Sequence, residues 1–151
     1  LTGLETATEL VLSALTGGSI TADDLMTIAG GTLFIQNSES SLGLPNLQSM
    51  DDVSVDLDPG TSLTLPMVAS LFTPTSVGAF NADLLLSSAT LNLPSVTEIV
   101  NYGITVTSSV LSLPVLDSVT SVIQTVSGDA SRAPSKRFHG GHGHLARAHD
   151  H

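Results

Sequence analysis

One phrase, Leu-x-Leu-Pro-x-apolar-x-x-apolar, occurs four times in this chain and constrains its fold more than any other feature. The copies begin at Leu42, Leu63, Leu91 and Leu111, and their prolines, Pro45, Pro66, Pro94 and Pro114, are spaced by 21, 28 and 20 residues. A unit of about 20 to 22 residues is therefore repeated, with one insertion assigned to Phe72–Ala79. A weaker copy, Leu25-Met-Thr-Ile28, lies 22 residues before Leu47 and Met50.

Alternating segments run between the phrases: Thr32-Leu33-Phe34-Ile35, Val53-Ser-Val55-Asp-Leu57, Asp83-Leu84-Leu85-Leu86, Ile104-Thr-Val106-Thr107 and Val122-Ile123-Gln-Thr-Val126. Such alternation predicts strands, and Leu-x-Leu stopped by Pro predicts a second, shorter strand. Because Pro donates no backbone hydrogen bond it belongs at strand ends, so its return at one place in every unit marks a corner. A unit this short buries no core alone, whereas stacked units share a continuous interior of Leu, Ile and Val. The expected fold class is all-β: a parallel, right-handed, leucine-rich-repeat-like β-solenoid of four to five coils. An ordinary β-sandwich is the alternative, and the common register of the four phrases favours the solenoid.

Three regions follow from this pattern. Residues 31–127 hold the solenoid repeats, 1–30 an N-terminal cap or degenerate first coil, and 128–151 a basic, His-rich tail. Thr2-Gly-Leu-Glu5 and Thr21-Ala-Asp-Asp24 fit capping boxes, and Gly17-Gly18 and Gly30-Gly31 fit helix stops, so a short N-terminal helical cap is expected. The other reading of the same stretch makes Glu9-Leu10-Val11-Leu12 a strand of the first coil. No cap motif follows Ser121–Ser127. Either the tail folds back over that end as a lid, or the end stacks on another molecule in a head-to-tail contact that propagates into a filament.

The run Ile28-Ala-Gly-Gly31-Thr-Leu33-Phe-Ile35-Gln-Asn37, followed by Leu42-Gly-Leu44-Pro45-Asn-Leu47, resembles the fungal cell-wall proteins related to receptor L domains. The likeness covers residues 25–127. It implies a receptor-L-domain-like solenoid that is extracellular, wall- or surface-associated and non-enzymatic. That family's flanking cysteines are absent, since the chain has no Cys.

Charge narrows the partners. Of 14 acidic residues 13 precede Arg132, while all four bases, Arg132, Lys136, Arg137 and Arg147, lie in the last 20 residues. A base-free acidic body repels nucleic acid phosphates and anionic lipid, so no nucleic acid partner is expected. Hydrophobic residues make up 41% of the chain, yet no run reaches the roughly 18 to 20 residues of a membrane span. A start at Leu1 without an initiator Met fits a processed secreted chain or a trimmed one. None of the five Asn stands in an Asn-x-Ser/Thr acceptor, which leaves glycosylation to the hydroxyls.

The sequence contains no catalytic phrase. Without Cys there is no thiolate nucleophile, and no Gly-x-Ser-x-Gly, His-Glu-x-x-His, Walker or dinucleotide fingerprint occurs. Asp56-x-Asp58-Pro-Gly could turn around calcium, but its spacing matches no EF-hand loop and reads first as a solvated turn. Thr105-Val-Thr107 puts two hydroxyls on one strand face, an arrangement that orders water on flat solenoids. The tail concentrates His139, His142, His144, His149 and His151, neutral imidazoles able to chelate zinc, copper or nickel. Lys136-Arg137 forms a dibasic pair of the kind that secretory proteases process.

The function expected is a secreted, extracellular structural or interaction protein, surface- or cell-wall-associated, self-assembling end to end, non-enzymatic and without a resident cofactor. Its partners are copies of itself or other surface and wall components. The alternative is a secreted metal-binding protein acting through the His-rich tail.

Overall fold

A computed structural model describes residues 1–74, 82–120, 122–128, 131–132 and 144–145. Among these, every regular element is a strand and every strand pairing is parallel, wound into a β-solenoid of about 5 turns. The first three coils each carry one nine-residue strand and one three-residue strand: β1 (Thr6–Ala14) with β2 (Ser19–Thr21), β3 (Thr27–Ile35) with β4 (Ser41–Gly43), and β5 (Ser49–Leu57) with β6 (Ser62–Thr64). In the next coils the long strand is divided. β7 (Ser70–Phe72) and β8 (Asp83–Ser87) precede β9 (Thr90–Asn92). β10 (Glu98–Val100) and β11 (Gly103–Thr107) precede β12 (Val110–Ser112). β13 (Ser118–Thr120), β14 (Ile123–Ser127) and β15 (Ser131–Arg132) form the last coil, and β16 (His144–Leu145) adds one more pair of residues beyond it. The long strands and their divided counterparts make a 10-stranded sheet; the short strands make a four-stranded sheet, β6-β9-β12-β15, and the pair β2-β4.

The corners form where the prolines predict them. Leu44-Pro45, Leu93-Pro94 and Leu113-Pro114 open turns closed by Leu47 N–H to Leu44 C=O at 3.4 Å, Val96 to Leu93 at 3.4 Å and Leu116 to Leu113 at 3.3 Å. Pro suits the second position of such a turn because its φ is already set. The first coil makes the same turn without Pro, from Leu25 N–H to Ala22 C=O at 3.4 Å.

Ladder registers stack equivalent side chains into interior columns. Leu12, Leu33, Val55, Leu84 and Ile104 form one, continued by Gln124. Ile28, Met50, Leu71, Ile99 and Val119 form a second. Both are buried throughout and belong to one apolar cluster. Strands bend where an inward residue is followed by two outward ones, at Glu9 (φ 56), Gly30 (φ 85) and Asp52 (φ 61). At Gly31 (φ 123) a Cβ would run into the Leu10 carbonyl, so only glycine fits that bend.

Residues Thr6–Ala14 form β1, not the expected helix. Leu12 and Ala14 are buried and Leu10 half-buried while Val11 is exposed, a period of two that suits a sheet and not a helix stripe. The acids of the presumed capping boxes do other work. The Glu5 carbonyl accepts the Met26 and Thr27 N–H groups at 2.9 and 3.2 Å, and Asp24 Oδ2 accepts the Gly3 N–H at 2.8 Å. Gly18 closes a turn on the Leu15 carbonyl at 2.9 Å.

The insertion separates β7 from β8, and the second half of the molecule is organised around it. Val55 pairs with Leu84, and Asp51 with Phe72, and Asp52, Val53 and Ser54 have no ladder partner in the next coil among the described residues. Tyr102, fully buried, reaches from the coil beyond. Its hydroxyl donates to the Val53 carbonyl at 2.7 Å and accepts the Val53 N–H at 3.3 Å. Ser54 Oγ accepts the Asp83 N–H at 3.1 Å.

Candidate functional site: the ends of the stack and its outer face

At the N-terminal end, β1 pairs with β3 on one side, and its other edge has no partner among the described residues. Residues 1–5 continue the coil path one turn earlier. The Leu1 amino group donates to the Thr21 carbonyl at 2.7 Å, as the Ala22 N–H does to Gly43 at 3.0 Å one coil on. Leu1, Val11 and Leu15 are 58%, 62% and 43% exposed, so this end of the stack presents apolar surface.

At the other end, β13 pairs with β10, and its outer edge is likewise unpartnered among the described residues. β15 lies on β12, with Leu111 opposite Arg132, and β16 lies on β14, with Ile123 opposite His144 and Gln124 opposite Leu145. Gln124 is buried in the column that is otherwise Leu, Val and Ile, and its Nε2 has no hydrogen-bond partner among the described residues. A buried carboxamide without a partner costs about 1 to 3 kcal/mol. The interior column thus turns polar at its last full coil.

The outer face of the long sheet carries the charge. Asp51 and Asp56 project from β5 and Asp83 from β8, all half-buried. Burial raises the Asp51 and Asp83 carboxyls above the usual carboxylate range. Burial also raises Asp56, whose ladder neighbours are Phe34 and Leu85, and the charge of Asp58 adds to the effect. Burial likewise pushes the Tyr102 phenol far above its ordinary range. The Val53 backbone pulls it part of the way back, and the charges of Asp52, Asp51 and Asp83 push it up again. Further along the face, Thr105 stands opposite Thr125, and Thr107 opposite Ser127, whose hydroxyl donates to Thr107 Oγ1 at 3.3 Å. The Thr105-x-Thr107 pair is therefore extended to a second coil.

A shallow depression of about 210 Å³ near the N-terminal end is lined by Glu5, Asp23, Asp24, Met26, Asn46 and Gln48. No group of three or more His, Cys, Asp or Glu side chains is placed to hold a metal among the described residues. Asp58 closes its turn through its carbonyl, which accepts the Thr61 N–H at 3.1 Å and Oγ1 at 2.7 Å. Of the tail residues singled out by sequence, Lys136, Arg137, His139, His142, His149 and His151 lie outside the described residues, and His144 is placed by its backbone in β16. Among the described residues no helix is long and apolar enough to cross a membrane.

Sequence reading missed Tyr102 and Gln124. Tyr102 is the one Tyr of the chain and stands where the other coils have Leu10, Gly31, Val53, Ala82 and Val122, and Gln124 breaks an apolar column. Both signals appear only once the coils are aligned in register. Comparison with protein-family models, with curated proteins and with solved structures found no match.

Proposed function

We propose that this chain is a secreted, extracellular structural and interaction protein, associated with a cell surface or wall, that works through its faces and by stacking end to end rather than by catalysis. The observation that carries this reading is the nine-residue β1, whose outer edge has no partner among the described residues, on a stack whose coils keep one ladder register from β1 to β14. An open strand edge is a template for another strand. Like coils at two ends make a head-to-tail contact that does not close on itself. The base-free, Ser- and Thr-rich body supports an extracellular setting, and wall association follows the resemblance of the repeat phrase.

Electron microscopy and light scattering of the purified chain from pH 7 down to about 4, where carboxylates begin to take up protons, test the reading. Filaments are expected, more of them at the acidic end as the bodies cease to repel one another. Their fibre diffraction should show the strand spacing of about 4.8 Å along the axis. A uniform monomer at every pH and at high concentration overturns it.

A second reading rests on five imidazoles within the last 13 residues and makes the tail a ligand for zinc, copper or nickel. Calorimetric titration of the intact chain with each metal, beside a variant with all five His changed to Ala, tests it. Equal and negligible heats overturn it.

A further inference from the structure

The tail strand β16 and the first strand of the chain occupy the same place in the repeat. Following the ladders coil by coil, Leu12 stands over Leu33, then Val55, Leu84, Ile104 and Gln124, and the next residue in that column is Leu145. His144 is by the same register the equivalent of Val11. We infer that β16 is a stand-in: it fills, within one molecule, the seat on β14 that β1 of a second copy takes during stacking. This rests on the end-to-end reading above and names its contact.

Three observations support the assignment. Among the described residues β16 pairs through two residues, whereas β1 offers nine, so the exchange lengthens the described ladder. The outer edge of β13 has no partner among the described residues, and in register β1 residues Thr6–Thr8 would lie along Ser118–Thr120 while its second half covers β14. A continuous strand seated on a divided pair already exists inside the molecule, where β5 pairs with both β7 and β8. The exchange also explains Gln124. A polar residue in the column weakens the hold of any one occupant, which suits a seat that changes hands.

The backbone supplies the means of testing this. The Ala14 carbonyl accepts the Gln36 N–H at 3.0 Å, so Ala14 and Leu12 face β3, and by alternation the Val11 N–H faces the free edge. Val11→Pro removes an outward donor and leaves the internal ladder intact. Leu145→Asp puts a carboxylate at the register position opposite Gln124 and is expected to weaken the stand-in. If the stand-in holds the seat about nine-tenths of the time, its loss lowers the concentration needed for assembly about tenfold.

Because the chain has no cysteine, a Val11→Cys chain mixed with an Ile123→Cys chain reports the contact directly. Ladder neighbours lie about 4.8 Å apart, within disulfide reach. Disulfide-linked heterodimers, increased when Leu145→Asp is added to the Ile123→Cys chain, are expected. So is loss of assembly in Val11→Pro with an unchanged circular dichroism spectrum and melting temperature. If the parent assembles while Val11→Pro assembles equally well and no heterodimer forms, the contact lies elsewhere: the inference falls and the stacking reading stands. If no variant assembles, Leu145→Asp included, both fall.

Discussion

The first three coils and the later ones solve the same winding problem differently. In coils one to three a single nine-residue strand passes without a break through its bend, at Glu9, at Gly30 and Gly31, or at Asp52. In the later coils the strand is divided, with Asn101 (φ 63) at the break between β10 and β11. The change falls between β7 and β8, and there the Val53 backbone bonds to the Tyr102 hydroxyl from two coils away. Here a side chain from two coils away, beside the insertion, satisfies backbone groups that have no ladder partner among the described residues. Apolar side chains of the interior columns run from Leu12 to Ile104 and from Ile28 to Val119, across both halves, so up to Gln124 the halves differ more in how the ladder is satisfied than in how the core is packed.

The largest effect expected is one that ignores the difference. Leu33→Ala in the first half and Leu84→Ala in the second remove equivalent, fully buried side chains from one column, and each should cost about 2 to 5 kcal/mol. Chemical denaturation measures both. A cost several times larger in one half would break the claim of a common core. Leu85→Ala, at a position 41% exposed on the outer face, is the control and should stay within about 0.5 kcal/mol.

Substitution at the bends separates the halves. Gly31→Ala forces a side chain into φ 123 and against the Leu10 carbonyl, and should cost about 2 to 3 kcal/mol. Asn101→Ala, at the corresponding break of the divided coils, also loses the Asn101 Nδ2–H bond to the Thr73 carbonyl at 3.0 Å. It should cost about 1 to 2 kcal/mol. Melting curves of the two variants check the order, and a harmless Gly31→Ala would show that the continuous strands do not need their glycine.

Tyr102→Phe acts between the two halves, on a bond from the fifth coil to Val53 of the third. It keeps the ring and strips both bonds to Val53, leaving a buried N–H and C=O unpaired, a loss of about 1 to 3 kcal/mol in denaturant. As Tyr102 is the chain's single tyrosine, phenolate absorbance gives an independent readout. In the folded protein it should stay silent through the ordinary tyrosine range and rise only with unfolding. Ionisation at the ordinary pH would mean that the phenol is not sealed between the coils.

The winding was legible in the sequence because it repeats. Pro45, Pro66, Pro94 and Pro114 mark one corner in four coils, and Leu-x-Leu before each marks the short strand. The N-terminal coil was not, because Glu5, Glu9 and paired glycines at helical spacing are equally compatible with a capped helix. Only pairing with β3 decides between them, and pairing is a long-range property. The insertion's neighbourhood was unreadable for the same reason: Tyr102 serves Val53 across 49 residues, and no local pattern announces such a bond. As for the candidate surfaces, the acidic body and the absence of a C-terminal cap motif were plain from composition. The equivalence of Leu12 with Leu145 required the register of every coil between them.

The smallest effect lies at the junction of the two halves and depends on pH. Asp51 and Asp56 of the third coil and Asp83 of the fourth have carboxyls raised above their ordinary values, in each case chiefly by burial. A raised value means that the folded state binds protons more readily than the unfolded chain, so stability increases as pH falls. The penalty for ionised, partly desolvated carboxylates is full at pH 7, begins to lift as pH falls through the raised values, and is gone below the ordinary carboxylate range of about 4. The melting temperature should therefore rise modestly on acidification from pH 7 toward about 4, against the usual course for proteins held by ion pairs, since thirteen of the fourteen acids here precede the first base. Asp56→Asn keeps the size of the side chain and removes its charge from between Phe34 and Leu85. The variant should melt slightly higher than the parent at pH 7 and equal it near pH 4. A parent that instead loses stability across this interval would show that the carboxylates are favoured, not strained, where the two halves meet.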